Sequence, residues 1–318
     1  MKNIKYSYLK FTVCILNNCR LPRQKVSLLT GVMLSKFKQL YCVQRNSHTT
    51  CTECNSKNIC LVFNMMGRRF DKNMAIALQS SVSPKFIINC FDKRTVFKEN
   101  DILEFEITIF DNLAELFVQY IYVFESIGQS GLGPEKAKYN LLFVSDEKGD
   151  IIYKNALMVE NAPVNDIYTY ISSRLNYCPD NSENFSKMTF LSPIMLNTNY
   201  VNDNSKKVLF IGEEALNCSL MDRLESLNIL DMEEKDKLNE LLDNLDNGRL
   251  INLVNVKVSK IRYYIKDEQR YIVIPAFTGY ILFNRKNIYS YLEYFLACEK
   301  LCIGQNILLG FGRYIMGG

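Results

Sequence analysis

The chain has 318 residues, of which 48% are hydrophobic and 23% charged, and this composition excludes a disordered chain. Its length allows a sizeable buried core and predicts two domains rather than one. The net charge is only +4, but residues 20–98 contain 14 Lys and Arg against 3 Asp and Glu. Such a basic segment is expected to attract a polyanion, although a solvated face without a partner explains the charge equally well.

Membrane and disulfide-bonded proteins are not favoured. No apolar run reaches the ~18 residues of a membrane helix, and the stretch at residues 11–16 is bracketed too tightly for a signal-peptide core. The sequence therefore predicts a cytoplasmic protein with no membrane partner. Its eleven cysteines then need a use other than a disulfide framework, since cytosolic thiols are kept reduced.

The N-terminal half opens with a predicted strand at residues 8–16 and a helix at residues 27–41. Four cysteines follow within nineteen residues: Cys42, Cys51, Cys54 and Cys60. Four thiolates at this range can close a tetrahedral zinc site. The spacing is less regular than in zinc ribbons, so structural zinc is favoured over four separate thiols and over an iron–sulfur cluster without excluding either.

His48, the only histidine, lies in this basic segment. A lone histidine is usually a polar surface residue, yet any mechanism that needs an imidazole has only this candidate. Two-histidine ribonuclease chemistry and His-Glu-x-x-His metal sites are thereby excluded. The sequence also lacks a Walker-type phosphate loop and a dinucleotide fingerprint, which argues against nucleotide-driven enzymes and dehydrogenases.

Further along, alternating apolar residues predict a strand at residues 103–109. Helical spacing after a capping box formed by Asn112 and Glu115 predicts a helix that ends at Gly128, and a further strand is predicted at residues 139–144. A polar stretch at residues 176–187 then marks a domain boundary.

The C-terminal half repeats this order. It has a predicted strand at residues 188–196, one or two acidic helices within 220–245, strands at 271–274 and 280–283, a helix from 288 to 302 and a last strand at 314–316. We predict an α+β fold of two tandem ferredoxin-like (RRM-like, βαββαβ) domains. The first spans residues 1–175 with the cysteine cluster inserted at 42–60, and the second spans 186–318 with a glycine-rich loop at 304–313.

That loop contains Gly304, Gln305, Asn306, Gly310, Gly312 and Arg313. Glycines let backbone N–H groups approach phosphates closely, and the loop carries a cation. A helix cap followed by glycines that permit tight packing is the simpler interpretation.

Together these residues resemble the CRISPR-associated RAMP endoribonucleases of the Cas-six family, in particular its cysteine-bearing branch. The most specific part is residues 304–314, Gly-Gln-Asn-(apolar)₃-Gly-Phe-Gly-Arg-Tyr, supported by residues 277–281, residues 29–34 and the cysteine cluster. The resemblance spans nearly the whole chain.

The resemblance implies cleavage of CRISPR repeat RNA by attack of a ribose 2′-hydroxyl on its own 3′-phosphate. The products are a 2′,3′-cyclic phosphate and a 5′-hydroxyl, and no metal or other cofactor takes part. His48, Tyr41 and Lys57 would be catalytic, since an imidazole, a phenol and a lysine suffice for this reaction. The expected RNA-binding residues are Lys36, Lys38, Arg45, Gly304, Gln305, Asn306, Gly310, Gly312 and Arg313.

Expected partners are repeat RNA or the processed guide RNA and other CRISPR-associated effector proteins. The main alternative is a non-catalytic RAMP subunit that binds guide RNA within an effector complex. His48 favours the enzyme, because a pure binder has no need of a titrating residue there. A third interpretation, a DNA-binding module held together by zinc, is disfavoured because the sequence has neither helix-turn-helix nor zinc-finger spacing.

Overall fold

The computed structural model describes residues 1–44, 51, 53–66, 84–158, 163–176, 186–196, 200–203, 206–209, 211–243, 249–265 and 270–317. Within these ranges the strands are β1 (Lys5–Ile15), β2 (Cys19–Arg20), β3 (Phe86–Asn89), β4 (Val96–Phe97), β5 (Ile102–Phe110), β6 (Tyr139–Ser145), β7 (Ile151–Lys154), β8 (Leu157–Met158), β9 (Val164–Asp166), β10 (Lys187–Phe190), β11 (Tyr200–Asp203), β12 (Lys206–Leu209), β13 (Ile251–Ile265), β14 (Arg270–Phe283) and β15 (Tyr314–Gly317).

The α-helices in the same ranges are α1 (Val26–Tyr41), α2 (Leu61–Met66), α3 (Phe117–Ser130), α4 (Ile167–Asn176), α5 (Glu213–Ser226), α6 (Met232–Asp243), α7 (Arg285–Ile288) and α8 (Leu292–Leu301). Short 3₁₀ helices occur at Lys57–Ile59, Asp111–Leu116, Tyr289–Tyr291 and Ile307–Leu309. None of the described helices is long and apolar enough to cross a membrane.

The first sheet has the strand order β3-β5-β1-β6, extended by β7 and β8, and β9 also pairs with β1. With α1 between β1 and β3 and α3 between β5 and β6, this is the ferredoxin-like arrangement. Alternate side chains of the central strands are buried, and the rings of Phe11 and Phe105 stack 4.9 Å apart. Phe124 of α3 packs on both rings, so the helix layer is held by side chains each worth about 1.5–3 kcal/mol on burial.

The second sheet repeats the arrangement with the order β13-β14-β10-β15. Helices α5 and α6 lie between its first and second strands in the chain, and α7 and α8 lie between its third and fourth. The prediction of two ferredoxin-like units in an α+β fold is therefore confirmed. Residues 177–185 lie outside the described residues, and the domain limits at 175 and 186 stay a prediction.

Several predicted elements differ from the structure. The βαββαβ order includes a second strand in each unit, but the residues that form it, β3 and β13, were not identified. The two strands predicted at 271–274 and 280–283 are one strand, β14. Gly279 lies inside β14 with φ +135, where a Cβ would collide with the carbonyl oxygen of Asn255. Glycine there permits close approach of β13 and β14 rather than ending a strand.

The helix after β5 also begins and ends elsewhere than predicted. Residues 111–116 form a 3₁₀ helix, α3 starts at Phe117, and Asn112 accepts a hydrogen bond from Lys85 Nζ (3.3 Å) instead of capping the helix. The helix runs past Gly128 to Ser130, and Gly131 N–H closes its last turn on Ile127 O (2.7 Å). Gly128 is buried against Tyr139 at the start of β6.

The two halves share one core. Ile4, Tyr6, Ile87 and Phe110 from the first half belong to the same buried cluster as the helices of the second. Arg223 of α5 joins them by donating to Leu301 O (2.7 Å) and to Pro84 O (3.0 Å). The relative position of the two sheets is thus fixed by buried contacts.

Candidate functional site

The C-terminal end of α1 carries the first predicted catalytic residue. Tyr41 is partly exposed and packs on Phe37, with ring centroids 5.6 Å apart. Burial and, to a lesser degree, nearby Tyr122 raise the pKa of the Tyr41 phenol above its usual value. At neutral pH this side chain is therefore a proton donor and not a base.

The described cysteines of the segment after this helix include Cys51, whose thiol is influenced by Lys38 in the last turn of α1. Burial raises the pKa of the Cys51 thiol, Lys38 lowers it, and Cys60, Cys42 and Cys54 raise it further, which shows that these groups are close enough to interact. Just after this segment, Val62 and Met65 of α2 are buried in the first core and anchor the segment to the domain.

The described part of this segment does not show the arrangement of a metal site. Among the described residues, no group of three or more His, Cys, Asp or Glu is arranged to hold a metal ion. Cys42, Cys51, Cys54 and Cys60 are all described, half-buried and free of disulfides. The expected tetrahedral zinc is therefore not supported by the structure.

The other predicted residues of this region divide into two groups. Lys57 begins a 3₁₀ helix and its N–H donates to Cys54 O (3.1 Å), while Lys36 is half-buried and Lys38 exposed on α1. His48 and Arg45 lie outside the described residues, so the structure does not bear on their predicted roles.

The glycine-rich loop packs against the other end of α1. Thr30 Oγ1 donates to Leu308 O (3.1 Å), and Gly310 lies against Val26. Thr30 and Tyr41 are 11 positions apart in the sequence, or roughly 16 Å along the helix axis at 1.5 Å per residue. The structure therefore places the loop and the predicted catalytic tyrosine toward opposite ends of one helix.

Backbone N–H groups of the glycine-rich loop donate hydrogen bonds within the protein. Gln305 N donates to Met195 O (2.7 Å), Gly312 N to Pro193 O (2.9 Å) and Arg313 N to Ser192 Oγ (2.9 Å). Gly312 has φ +87, and a Cβ there would collide with the carbonyl oxygen of Ile303. These contacts match the simpler interpretation of the glycines, tight packing, and leave the phosphate contact a prediction.

Arg313 reaches from the second half to the first. Its guanidinium lies 3.9 Å from the Glu106 carboxylate of β5 and 4.7 Å from the ring centroid of Phe91. Tyr8 bonds to the same carboxylate, and burial together with Glu106 raises the pKa of Tyr8 above its usual range. The predicted RNA-binding arginine is thus paired with an acid of the protein.

Sequence reasoning missed a strongly basic surface in the second sheet. Strands β10, β13, β14 and β15 contain no Asp or Glu and five basic residues: Lys187, Lys257, Lys260, Arg262 and Arg270. The alternation of Val254, Val256 and Val258 with polar residues was the available signal for β13. A sheet whose charged side chains are all positive is suited to binding a polyanion.

The outer half of the β13–β14 hairpin extends beyond the two other strands of that sheet, since β10 pairs with β14 only at residues 280–282. One face of this ribbon, including Tyr263 and Ile274, packs on Leu309 and Phe311 of the glycine-rich loop. The opposite face carries Lys260 and Arg262 beside exposed aromatic and apolar residues, among them Tyr271, which is 69% exposed. Basic and aromatic side chains together are typical of single-stranded nucleic-acid surfaces.

A comparison with known protein families finds a match for the first half of the chain. Residues 4–164 match the model of the N-terminal domain of the AF_1859_N family. This match covers half of the chain, and the chain belongs to that family. No curated protein matches it in sequence.

Solved structures with the same fold are Cas6 proteins. Cas6 of Thermus thermophilus in a product complex aligns over 98% of this chain and 98% of that one, with a TM-score of 0.52 and 12% identity. A chain of the partial Cas6-RT-Cas1–Cas2 complex aligns over 99% of this chain with a TM-score of 0.61 and 8% identity. The present chain spans only 46% of that polypeptide, and 29% of the one in the full complex. The architecture is thus the double ferredoxin-like fold of the Cas6/RAMP type.

Proposed function

We propose that this protein binds CRISPR repeat RNA and cleaves it as a metal-independent endoribonuclease. The single observation that carries the proposal is the agreement of the whole architecture, over 98% of both chains, with a Cas6 described in complex with its product. The acid-free second sheet supports a polyanionic ligand independently of that likeness.

The proposed reaction needs only the RNA and side chains. The ribose 2′-oxygen forms a bond to the adjacent phosphorus, and the bond from phosphorus to the 5′-oxygen breaks. One proton leaves the 2′-hydroxyl to a base, and one is given to the departing 5′-oxygen, so no water or metal is consumed in the step. A cation near the phosphorane stabilises the added negative charge.

We assign these roles to His48, Tyr41 and Lys57. Tyr41 fits the proton donor, because its raised pKa keeps the phenol protonated at neutral pH. The base is then His48, since histidine side chains ordinarily titrate near neutrality with a pKa of about 6.5. Lys57 supplies the cation and begins the 3₁₀ helix between Cys54 and Cys60.

Repeat RNA, its processed product and other CRISPR-associated proteins are the proposed partners. Solved neighbours support this, since one is a Cas6 product complex and another belongs to a Cas6-RT-Cas1–Cas2 complex. A non-catalytic subunit that retains guide RNA is the second candidate. It is favoured by the glycine-rich loop, since the backbone N–H groups of Gln305 and Gly312 are engaged within the protein rather than open to a reacting phosphate.

Single-turnover incubation of purified protein with end-labelled repeat RNA separates the two candidates. A product ending in a 2′,3′-cyclic phosphate, formed equally with and without EDTA, is expected of the enzyme. Tight binding with intact RNA would establish the binding subunit and overturn the nuclease.

A further inference from the structure

The open face of the second sheet differs from its packed face. Met188, Ile281 and Phe283 face the helices and belong to the buried core. Because side chains alternate along a strand, the neighbouring positions point to the other side. They include the polar residues Lys187, Thr189, Asn255, Lys257, Thr278 and Tyr280, together with the half-buried Leu282.

Tyr280 lies at the middle of this open face. It sits on β14, opposite Thr189 of β10 and Asn255 of β13. Lys187 Nζ lies over its ring, 4.7 Å from the centroid, and Asn255 Nδ2 donates to its hydroxyl at 2.9 Å. The Tyr280 ring is thus held in place by the Lys187 ammonium and the Asn255 amide, and it remains partly exposed.

Charge decides what this face can bind. On this face the four strands carry Lys187, Lys257 and Arg270 and no carboxylate, whereas Lys260 and Arg262 lie on the opposite face. An anionic strand is therefore attracted to it. An exposed ring among cations suits an unpaired nucleotide, whose base can stack while its phosphates meet lysines. Bases within a double helix are already stacked on each other and offer no free face to Tyr280.

We propose that the open face of the second sheet binds an unpaired segment of the RNA, with a base stacked on Tyr280 and flanking phosphates at Lys187 and Lys257. This rests on the proposed function and names the part of the substrate that the sheet holds. The site belongs to the second half, whereas Tyr41 and Lys57 belong to the first, and we assign it binding and not chemistry. Stacking tolerates every base, so we expect little sequence preference.

The absence of tryptophan from the chain makes a direct test available. Tyr280→Trp introduces the only indole, and a base stacked on it should quench its fluorescence when a short oligoadenylate is added. Tyr289→Trp, at an exposed 3₁₀-helix position away from the sheet, is the control and should not respond. A Tyr280→Trp protein that binds the oligoadenylate without quenching would overturn the proposal.

A second pair of variants measures the contribution of the ring. Tyr280→Leu keeps an apolar side chain on the sheet but removes the ring, and it should weaken oligoadenylate binding about 5- to 150-fold, while Tyr280→Phe stays within about twofold. Binding of a fully paired RNA should be unchanged in both. Equal losses for paired and unpaired RNA, or none, would refute the stacking site.

The two proposals fail separately. Wild-type cleavage of repeat RNA with no response at Tyr280 leaves the nuclease standing and removes the stacking site. Quenching at Tyr280→Trp without any cleavage supports the stacking site and removes the nuclease. A protein that binds no RNA overturns both.

Discussion

The Nη1 atom of Arg313 lies 3.9 Å from Oε2 of Glu106, and both side chains are mostly buried, at 21% and 16% exposure. The residues come from different halves of the chain, so this pair crosses between the two sheets. Any phosphate that reaches Arg313 must compete with the carboxylate. The RNA contact of the glycine-rich loop can therefore be tested with one variant that should weaken RNA binding and one that should strengthen it.

Arg313→Ala should weaken binding to many RNAs alike and reduce the slope of log affinity against log salt by about one, because one phosphate contact is lost. Filter binding at several salt concentrations with unrelated RNA sequences measures both effects. A loss confined to one sequence would mean that Arg313 reads bases.

Glu106→Gln should act in the opposite sense. It removes the competing charge but keeps the size of the side chain and a hydrogen-bond acceptor for Tyr8, so RNA affinity should rise roughly two- to fivefold, the scale of a partly screened ion pair. Glu115→Gln, in the exposed pair with Lys5, is the matched control and should change little. Unchanged affinity in Glu106→Gln would show that RNA does not approach Arg313.

Glu299 supports the packing of the second half. Its buried carboxylate accepts from Tyr170 OH (2.6 Å), Arg174 Nε (3.0 Å) and Met316 N, which ties α4, α8 and β15 together. Glu299→Ala leaves the partly exposed guanidinium of Arg174 and the buried Met316 N–H without this acceptor. It should lower the free energy of unfolding by about 3 kcal/mol, the lower end of the loss for a fully buried ion pair. Urea unfolding gives the value.

The exposed pair Lys235–Glu225, 3.2 Å apart, provides the comparison. Glu225→Ala should cost no more than about 1 kcal/mol, since surface ion pairs contribute little. Similar losses in the two variants would contradict a buried network at Glu299.

Buried tyrosines predict a decline of stability in alkali. Burial, with a hydrogen bond to Glu125, raises the pKa of Tyr153 to about 12, and burial also raises that of Tyr291 to about 12. Unfolded tyrosine has a pKa of about 10, so above that pH the unfolded state holds fewer protons than the folded one. The stability should therefore be complete below pH 10 and fall as the pH rises toward about 12.

Unfolding free energies at a series of pH values measure this slope, and tyrosinate absorbance should rise together with unfolding. Tyr153→Phe removes one of the groups and should make the decline less steep. An identical slope in this variant would show that Tyr153 titrates normally in the folded protein.

The fold was predictable where the pattern is local. The alternation of Leu103, Phe105 and Ile107 identified β5 because one face of that strand packs on α3 and the other is polar. Strand β3 has four consecutive buried residues, Phe86–Asn89, and therefore shows no alternation to recognise. Such strands are specified by their neighbours in the sheet, which a sequence does not display.

The candidate site was less predictable for the same reason. The pairing of Arg313 with Glu106 joins residues far apart in the chain, and no spacing rule indicates it. Tyr280 was noticed only as part of a motif before the last helix. Its position at the centre of an open, acid-free face emerges once β13 is paired in register with β14.

The last prediction concerns His48, whose imidazole can take the 2′-hydroxyl proton near neutral pH, where its class of side chain titrates with a pKa of about 6.5. His48→Ala should lower single-turnover cleavage of repeat RNA by roughly 10²-fold or more, the usual scale for losing an acid–base group. RNA affinity should stay nearly unchanged, because binding is assigned to the basic surfaces and not to this side chain. The wild-type rate should fall below about pH 6.5, where the base is protonated, and should persist in EDTA. Tyr41→Phe is the companion variant and should remove the proton donor while leaving this acidic limb in place. Wild-type cleavage by His48→Ala would show that the histidine is a surface residue and would pass the assignment to Tyr41 and the lysines nearby.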